Sequence, residues 1–200
     1  SSDLKGALAE KGPEIVAPKY DLENLKKYGH LLKNNEKVII TGKIHGSNAR
    51  FTYVDDRMWC GSRAQWKMPP GEYIQGFKGG TEPTPECGWW QSLRQNPWIE
   101  EFCRENPGVV VYGEIFGSMV QGSNFHYGLD KDKIGFAVFD ILENGRWLNN
   151  LEFEQSRFDG LQFVETLYKG KYNSNVVIKL AEEKERSEEH TSELQSQFRI

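Results

Sequence analysis

The sequence predicts an α+β fold, rich in β-strands and flanked by short helices, on three observations. Apolar runs heavy in Val, Ile and Phe recur at 38–40, 109–112 and 134–142, the composition of buried strands. Turn signals at Asp55-Asp56 and at Glu143 to Gly145 separate shorter runs of strand character. Between Trp89 and Arg104, Trp90, Leu93, Trp98 and Phe102 give the apolar positions of a helix.

Taken in order, residues 1–17 are weakly patterned and read as a surface lead-in. Asp21 is a good N-cap for a short helix through Tyr28, with Leu22 and Leu25 on one face and Gly29 as its stop. Val38 to Thr41 is a strand, residues 42–48 a polar interruption, and Ala49 to Val54 a second strand. Phe51–Val54 and Arg57–Cys60 form a hairpin around the two aspartates, and Arg63 lies just beyond its end. Residues 67–88, rich in Pro and Gly, read as a long surface loop. Asn96-Pro97 interrupts the following helical stretch, so two short helices fit as well as one. Val109 to Tyr112 is a buried strand that runs into Gly113-Glu114-Ile115-Phe116-Gly117. After the loop from Gly122 to Gly128 come a strand over 134–142, a helix near 152–158, a strand, and a last strand at Val176 to Lys179.

The chain has 200 residues, enough for one domain with a small appendage, and six tryptophans imply large buried or stacking surfaces. A net charge of −4 gives no global basic signature, so any nucleic-acid contact must come from a local patch. Three cysteines without metal-ligand spacing read as reduced thiols, which predicts a cytoplasmic protein. No apolar run reaches transmembrane length.

The polar interruption carries chemistry. Lys43 leaves a strand end, where a neutral amine can act as a nucleophile. Gly46 permits close backbone approach to a ligand, and Glu114 leaves a hydrophobic strand between glycines. The segments Lys43-Ile44-His45-Gly46-x-Asn48, Ser62-Arg63, Tyr112-Gly113-Glu114-x-Phe116-Gly117 and Phe136-x-x-Phe139-Asp140-Ile141 occur in one order. Together they resemble the ATP-dependent RNA ligases, in the branch of phage nick-sealing and kinetoplastid RNA-editing enzymes. The histidine of K-x-H-G separates this branch from DNA ligases and capping enzymes.

The resemblance implies an antiparallel β-rich nucleotidyltransferase domain of the ATP-grasp-like ligase adenylation type. It implies ATP and magnesium as cofactors and RNA ends as partners; a monomer is expected, and the lack of a long apolar run predicts no membrane association. Catalytic roles then fall to Lys43, His45 and Asn48, and nucleotide binding to Lys43, Ile44, Gly46, Arg63, Glu114, Phe139 and Lys179. Glu114 would hold the ribose hydroxyls, Arg63 the ribose or phosphate, and Phe139 the adenine face. Gly42 stands where the family has glutamate, and only Lys179 carries over from the late E-G-x-V-[IL]-K segment. The paired-lysine strand expected after it is missing.

Residues 186–200 resemble a translated sequencing adapter. The implied organisation is a lead-in over 1–36, an adenylyltransferase domain incomplete at its C-terminus over 37–185, and an artefactual tail over 186–200. A sheet strand would be missing, which predicts weak or absent ligase activity. The rival expectations are a DNA ligase or capping-type enzyme, and a degenerate domain that binds RNA ends without joining them.

Overall fold

The computed structural model describes residues 8–21, 29–75, 81–121, 127–188 and 198–199. They divide into two compact units, the first made of Ser1–Tyr20 and His45–Phe163, the second of Asp21–Ile44 and Val164–Ile200. The fold is α+β with mostly antiparallel strands, as the sequence predicts.

In the first unit, strands β1 (Ala9–Glu10), β3 (Ser47–Val54), β4 (Arg57–Ser62), β5 (Trp66–Lys67), β8 (Val110–Phe116), β9 (Gly135–Glu143) and β10 (Arg146–Trp147) form one sheet. Its order is β1-β5-β4-β3-β8-β9-β10, and every neighbour is antiparallel. The hairpins β3–β4 and β9–β10 turn as expected. Asp55 and Asp56 take φ of 53° and 57°, and Asn144 and Gly145 take 51° and 75°, the left-handed pairs that match strand twist in two-residue turns.

Helices α1 (Gly88–Gln95) and α2 (Pro97–Glu105) are separate. Asn96, at φ −124° and ψ 72° before a proline, leaves the helical region and breaks the run, and Pro97 opens the second helix where its missing N–H costs nothing. The Asn96 amide donates to Ser92 O at 2.7 Å and to Ile134 O at 2.8 Å, which ties the helix pair to the start of β9. One face of the sheet (Ala49, Phe51, Cys60, Val111, Ile115, Phe136, Val138, Ile141) packs with Trp89, Leu93, Ile99, Phe102 and Cys103 in a single core. Alternation along the strands turns Asn48, Arg50, Thr52, Tyr112 and Glu114 to the other face. A short helix α3 (Ser118–Gln121) follows β8.

The second unit has a three-stranded sheet, with β2 (Lys37–Thr41) between β11 (Thr166–Lys171) and β12 (Phe198–Arg199). Val38, Ile40 and Val177 form its small core, packed by Leu167, Tyr168, Tyr172 and Leu180.

The strands on either side of the polar interruption belong to different sheets. Several expectations are corrected. The lead-in contributes β1 at the edge of the large sheet. The loop over 67–88 contains a small hairpin of β6 (Tyr73–Gln75) and β7 (Thr81–Pro83). The helix near 152–158 is two 3-10 turns, Glu152–Glu154 and Ser156–Phe158. Val176 to Lys179 is not a strand but part of helix α4 (Ser174–Glu188). Here Asn173 Oδ1 accepts from Asn175 N at 2.9 Å, and the Ala-Glu-Glu-Lys-Glu run that follows outweighs the three β-branched residues Val176, Val177 and Ile178. The helix expected after Asp21, over 22–28, lies outside the described residues. Of the adapter-like segment, 186–188 end α4 and 198–199 pair with β2.

Candidate active site

The face of the large sheet turned away from the helices gathers most of the predicted residues of the first unit. Asn48 on β3 lies directly opposite Glu114 on β8, and Glu114 in turn opposes Ala137 on β9. Arg63 follows the last β3–β4 pair, Ala49↔Ser62, so it leaves the sheet at the same end and is exposed. Phe139 reaches this face through a bulge. Tyr112 pairs with Asp140 and Gly113 with Val138, so Phe139 is the extra residue between them. Val138 and Ile141 point into the core, while Phe139 is half-buried and packs on Tyr20.

Gly46 shows why this position requires glycine. An added Cβ would overlap the carbonyl oxygen of Ile115 and stand 2.9 Å from Glu114 Cγ. The backbone of the motif therefore passes against β8 at the base of the Glu114 side chain.

The division between the units falls inside the motif, with Lys43 and Ile44 in the second and His45 onward in the first. Gly42 N–H donates to Glu165 O at 2.8 Å, which extends the β2–β11 pairing by one bond up to Lys43. Lys43, Ile44, His45 and Asn48 are all half-buried. Lys179 does not share this setting. It stands on the exposed side of α4 with its amine 3.7 Å from Glu183, and no strand carries it.

Three residues the sequence reading missed hold the site in shape. Tyr127 accepts a hydrogen bond from His45 N–H at 2.8 Å and stacks edge-on against Phe116 at 5.3 Å. Trp89, at the start of α1, donates its indole N–H to Asn48 O at 3.1 Å. The same indole carries the Lys67 ammonium 4.7 Å from its ring, and burial pushes that lysine below its ordinary value. Tyr20 is buried against Phe139, Tyr112 and Trp147. Only Trp89 had a signal, its place at the head of an apolar helical run. Tyr20 and Tyr127 sit in unpatterned segments.

The electrostatics of this face are unusual for a buried surface. Arg50 is 4% exposed, stacks on Trp66 at 4.2 Å, and donates through Nη1 to Ala17 O and Pro18 O. The Tyr112 hydroxyl donates to Pro18 O at 2.9 Å, and burial pushes this phenol up to about 12 despite the nearby guanidinium. Asn48 Oδ1 is sealed from solvent and has no hydrogen-bond partner among the described residues. A buried acceptor left this way costs roughly 1–3 kcal/mol unless a ligand supplies a donor. Among the described residues no group of three or more His, Cys, Asp or Glu side chains could hold a metal ion.

A protein-family model described as RNA ligase matches residues 36–193. The chain belongs to the RNA ligase family. Solved structures agree on the fold. The chain superposes on Naegleria gruberi RNA ligase with PPi at a TM-score of 0.65 and 20% identity, covering 90% of this chain and 51% of that one. A lysine-to-alanine mutant of the same ligase with ATP and Mn gives 0.59 and 22%, covering 86% and 48%. The chain thus spans about half the length of these relatives. Comparison with curated protein sequences gave no match. No helix among the described residues is long and apolar enough to cross a membrane.

Proposed function

We propose that this domain is the adenylyltransferase part of an ATP-dependent RNA ligase that joins 3′-hydroxyl and 5′-phosphate ends. The observation that carries the reading is the family match over residues 36–193, which includes the Lys43–His45–Gly46 motif and the Glu114 and Phe139 segments. The Lys43 amine, once deprotonated, attacks the α-phosphorus of ATP. A P–N bond forms, the bond to pyrophosphate breaks, and AMP remains on the lysine as a phosphoramidate. An oxygen of an RNA 5′-phosphate then takes the AMP, and a 3′-hydroxyl displaces it to close the strand.

The first unit supplies binding groups for that nucleotide. Glu114 accepts from the ribose hydroxyls, and Phe139 offers a half-exposed ring for the adenine face, a contact of about 1–3 kcal/mol. Arg63 offers a cation to ribose or phosphate. His45 and Asn48 orient the phosphate and the RNA end, and the buried Asn48 Oδ1 is suited to a ligand donor. Ile44 and Gly46 present motif backbone to the nucleotide, and the missing Cβ of Gly46 seats that backbone against β8. Lys179, exposed and paired with Glu183, is left out of this set. The described side chains do not form a metal site, so no step is assigned to one. Magnesium is proposed to enter with the ATP phosphates.

Incubation with α-labelled ATP and magnesium, followed by denaturing electrophoresis, tests the reading. Acid-labile, alkali-stable label that disappears in Lys43→Ala and is not competed by GTP is expected. Label that persists in Lys43→Ala would overturn the assignment of the nucleophile. A second reading, RNA-end binding without joining, is favoured by Gly42 and by the surface position of Lys179. It predicts no label, with RNA affinity unchanged in Lys43→Ala.

A further inference from the structure

We infer that Tyr20 is a positioning residue for the nucleotide, backing the Phe139 ring and presetting it for the adenine base. This rests on the reading of Phe139 above. The bulge leaves Phe139 as the one residue of β9 in this stretch with no register partner on β8, so sheet pairing alone does not orient its side chain. Tyr20 supplies that orientation from outside the sheet. The two ring centroids are 4.5 Å apart with planes tilted by 42°.

Tyr20 is itself well anchored. Its ring meets Trp147 edge-on at 5.3 Å and Tyr112 at 5.7 Å, and it is 8% exposed. The chain just before it is fastened to the sheet by Arg50, which donates to Ala17 O and Pro18 O, and by Tyr112, which donates to Pro18 O. A buried guanidinium bonded to two backbone carbonyls, with no carboxylate in the contact among the described residues, indicates that this segment is held in one place. The result is a short strap across the ligand face of the sheet, ending in an aromatic ring behind the half-exposed Phe139. A stacking platform fixed before the base arrives loses less conformational freedom on binding than one that must be ordered by it.

The test uses the full chain in a Lys43→Ala background, so that bound ATP is not consumed. Calorimetry measures the affinity for ATP and for inorganic tripolyphosphate, which has no base. Tyr20→Leu is expected to weaken ATP roughly fivefold to twentyfold, a part of one base–aromatic stack, and to leave tripolyphosphate within twofold. Tyr20→Phe, which keeps the ring, is expected to restore parental affinity. In a double-mutant cycle the effect of Tyr20→Leu disappears once Phe139→Leu is present. If Tyr20→Leu fails to fold, Tyr20→Trp disturbs the same contact and predicts the same base-specific loss. Unchanged ATP affinity overturns the proposal, and so do equal losses for both ligands, which assign Tyr20 to the fold alone. Failure of the parent to prefer ATP over tripolyphosphate instead overturns the reading of Phe139 on which the proposal stands.

Discussion

Replacing Gly46 by alanine tests the closest approach in the candidate site. The new Cβ would overlap the Ile115 carbonyl oxygen and sit 2.9 Å from Glu114 Cγ. The first contact is with main chain, which no rotamer change relieves, so residues 45–47 or the end of β8 must shift. Overpacking of a rigid site costs about 1–3 kcal/mol, and a backbone clash belongs at the upper end. For a chain of this size each kcal/mol moves the melting temperature by about 2–4 °C, so a fall of roughly 6–12 °C is expected by circular dichroism. The second contact has a different consequence. Glu114 can swing aside, which takes its carboxylate out of its place opposite Asn48. Lysyl-AMP labelling should therefore fall even well below the melting temperature, and fall most at low ATP. Gly160→Ala is the control, because nothing lies within 4 Å of its Cβ position. It should melt within about 0.5 kcal/mol of the parent. If Gly46→Ala melts and labels like Gly160→Ala, the motif backbone does not pass against β8 as described.

Other features give independent checks. Thr52 is fully buried and its hydroxyl donates to Val109 O at 2.8 Å. Thr52→Val should lower stability by about 1–3 kcal/mol in urea titration by leaving that carbonyl unpaired, and an unchanged midpoint would refute the bond. The cysteines at 60, 87 and 103 are free and buried, and burial pushes the Cys60 and Cys103 thiols up. Ellman's reagent should release no colour from the native chain and three equivalents after guanidinium, and rapid native release would contradict the packing. Glu152, held to about 2 by its bonds to Arg146 and Asn149, and Glu143, lowered by Arg157, pin the 3-10 turns to the β9–β10 hairpin. Because both carboxyls are depressed, their contribution is present above the ordinary carboxylate range and lost as pH falls from there towards 2. Glu152→Gln should flatten that part of the melting-temperature profile, and an identical acid profile would show the pair contributes nothing.

The four long strands of the large sheet, β3, β4, β8 and β9, were legible in sequence because each is a plain case of local physics, whereas the two-residue strands β1 and β5 gave no such pattern. Asp55-Asp56 and Asn144-Gly145 can occupy left-handed backbone, and the runs beside them are β-branched or aromatic. Arg63 and Glu114 could be picked out because each follows or interrupts such a run, whereas Phe139, inside an apolar run, stood out only through the family resemblance. What was hidden depends on contacts distant in sequence. Nothing in residues 1–20 shows that Tyr20 meets Phe139, since the partner lies more than a hundred positions away. The partition of β2 and β3 into separate sheets is invisible locally, because both read as strands and only their partners differ. Val176 to Lys179 misled for the opposite reason. Its three β-branched residues satisfy a strand pattern, but the charged run downstream extends a helix back through them.

The bulge in β9 has a meaning at the level of the reading frame. The strand has nine residues, and its side chains change phase at Phe139, so that Phe136 and Val138 before it and Ile141 after it all reach the core. Dropping this single codon would join two halves that already agree, giving an uninterrupted ladder in which every other side chain kept its face. The folding of the strand thus asks for one residue fewer than the gene encodes. Phe139 is a surplus letter as far as the sheet is concerned, and the reason for its presence lies in what its ring can meet.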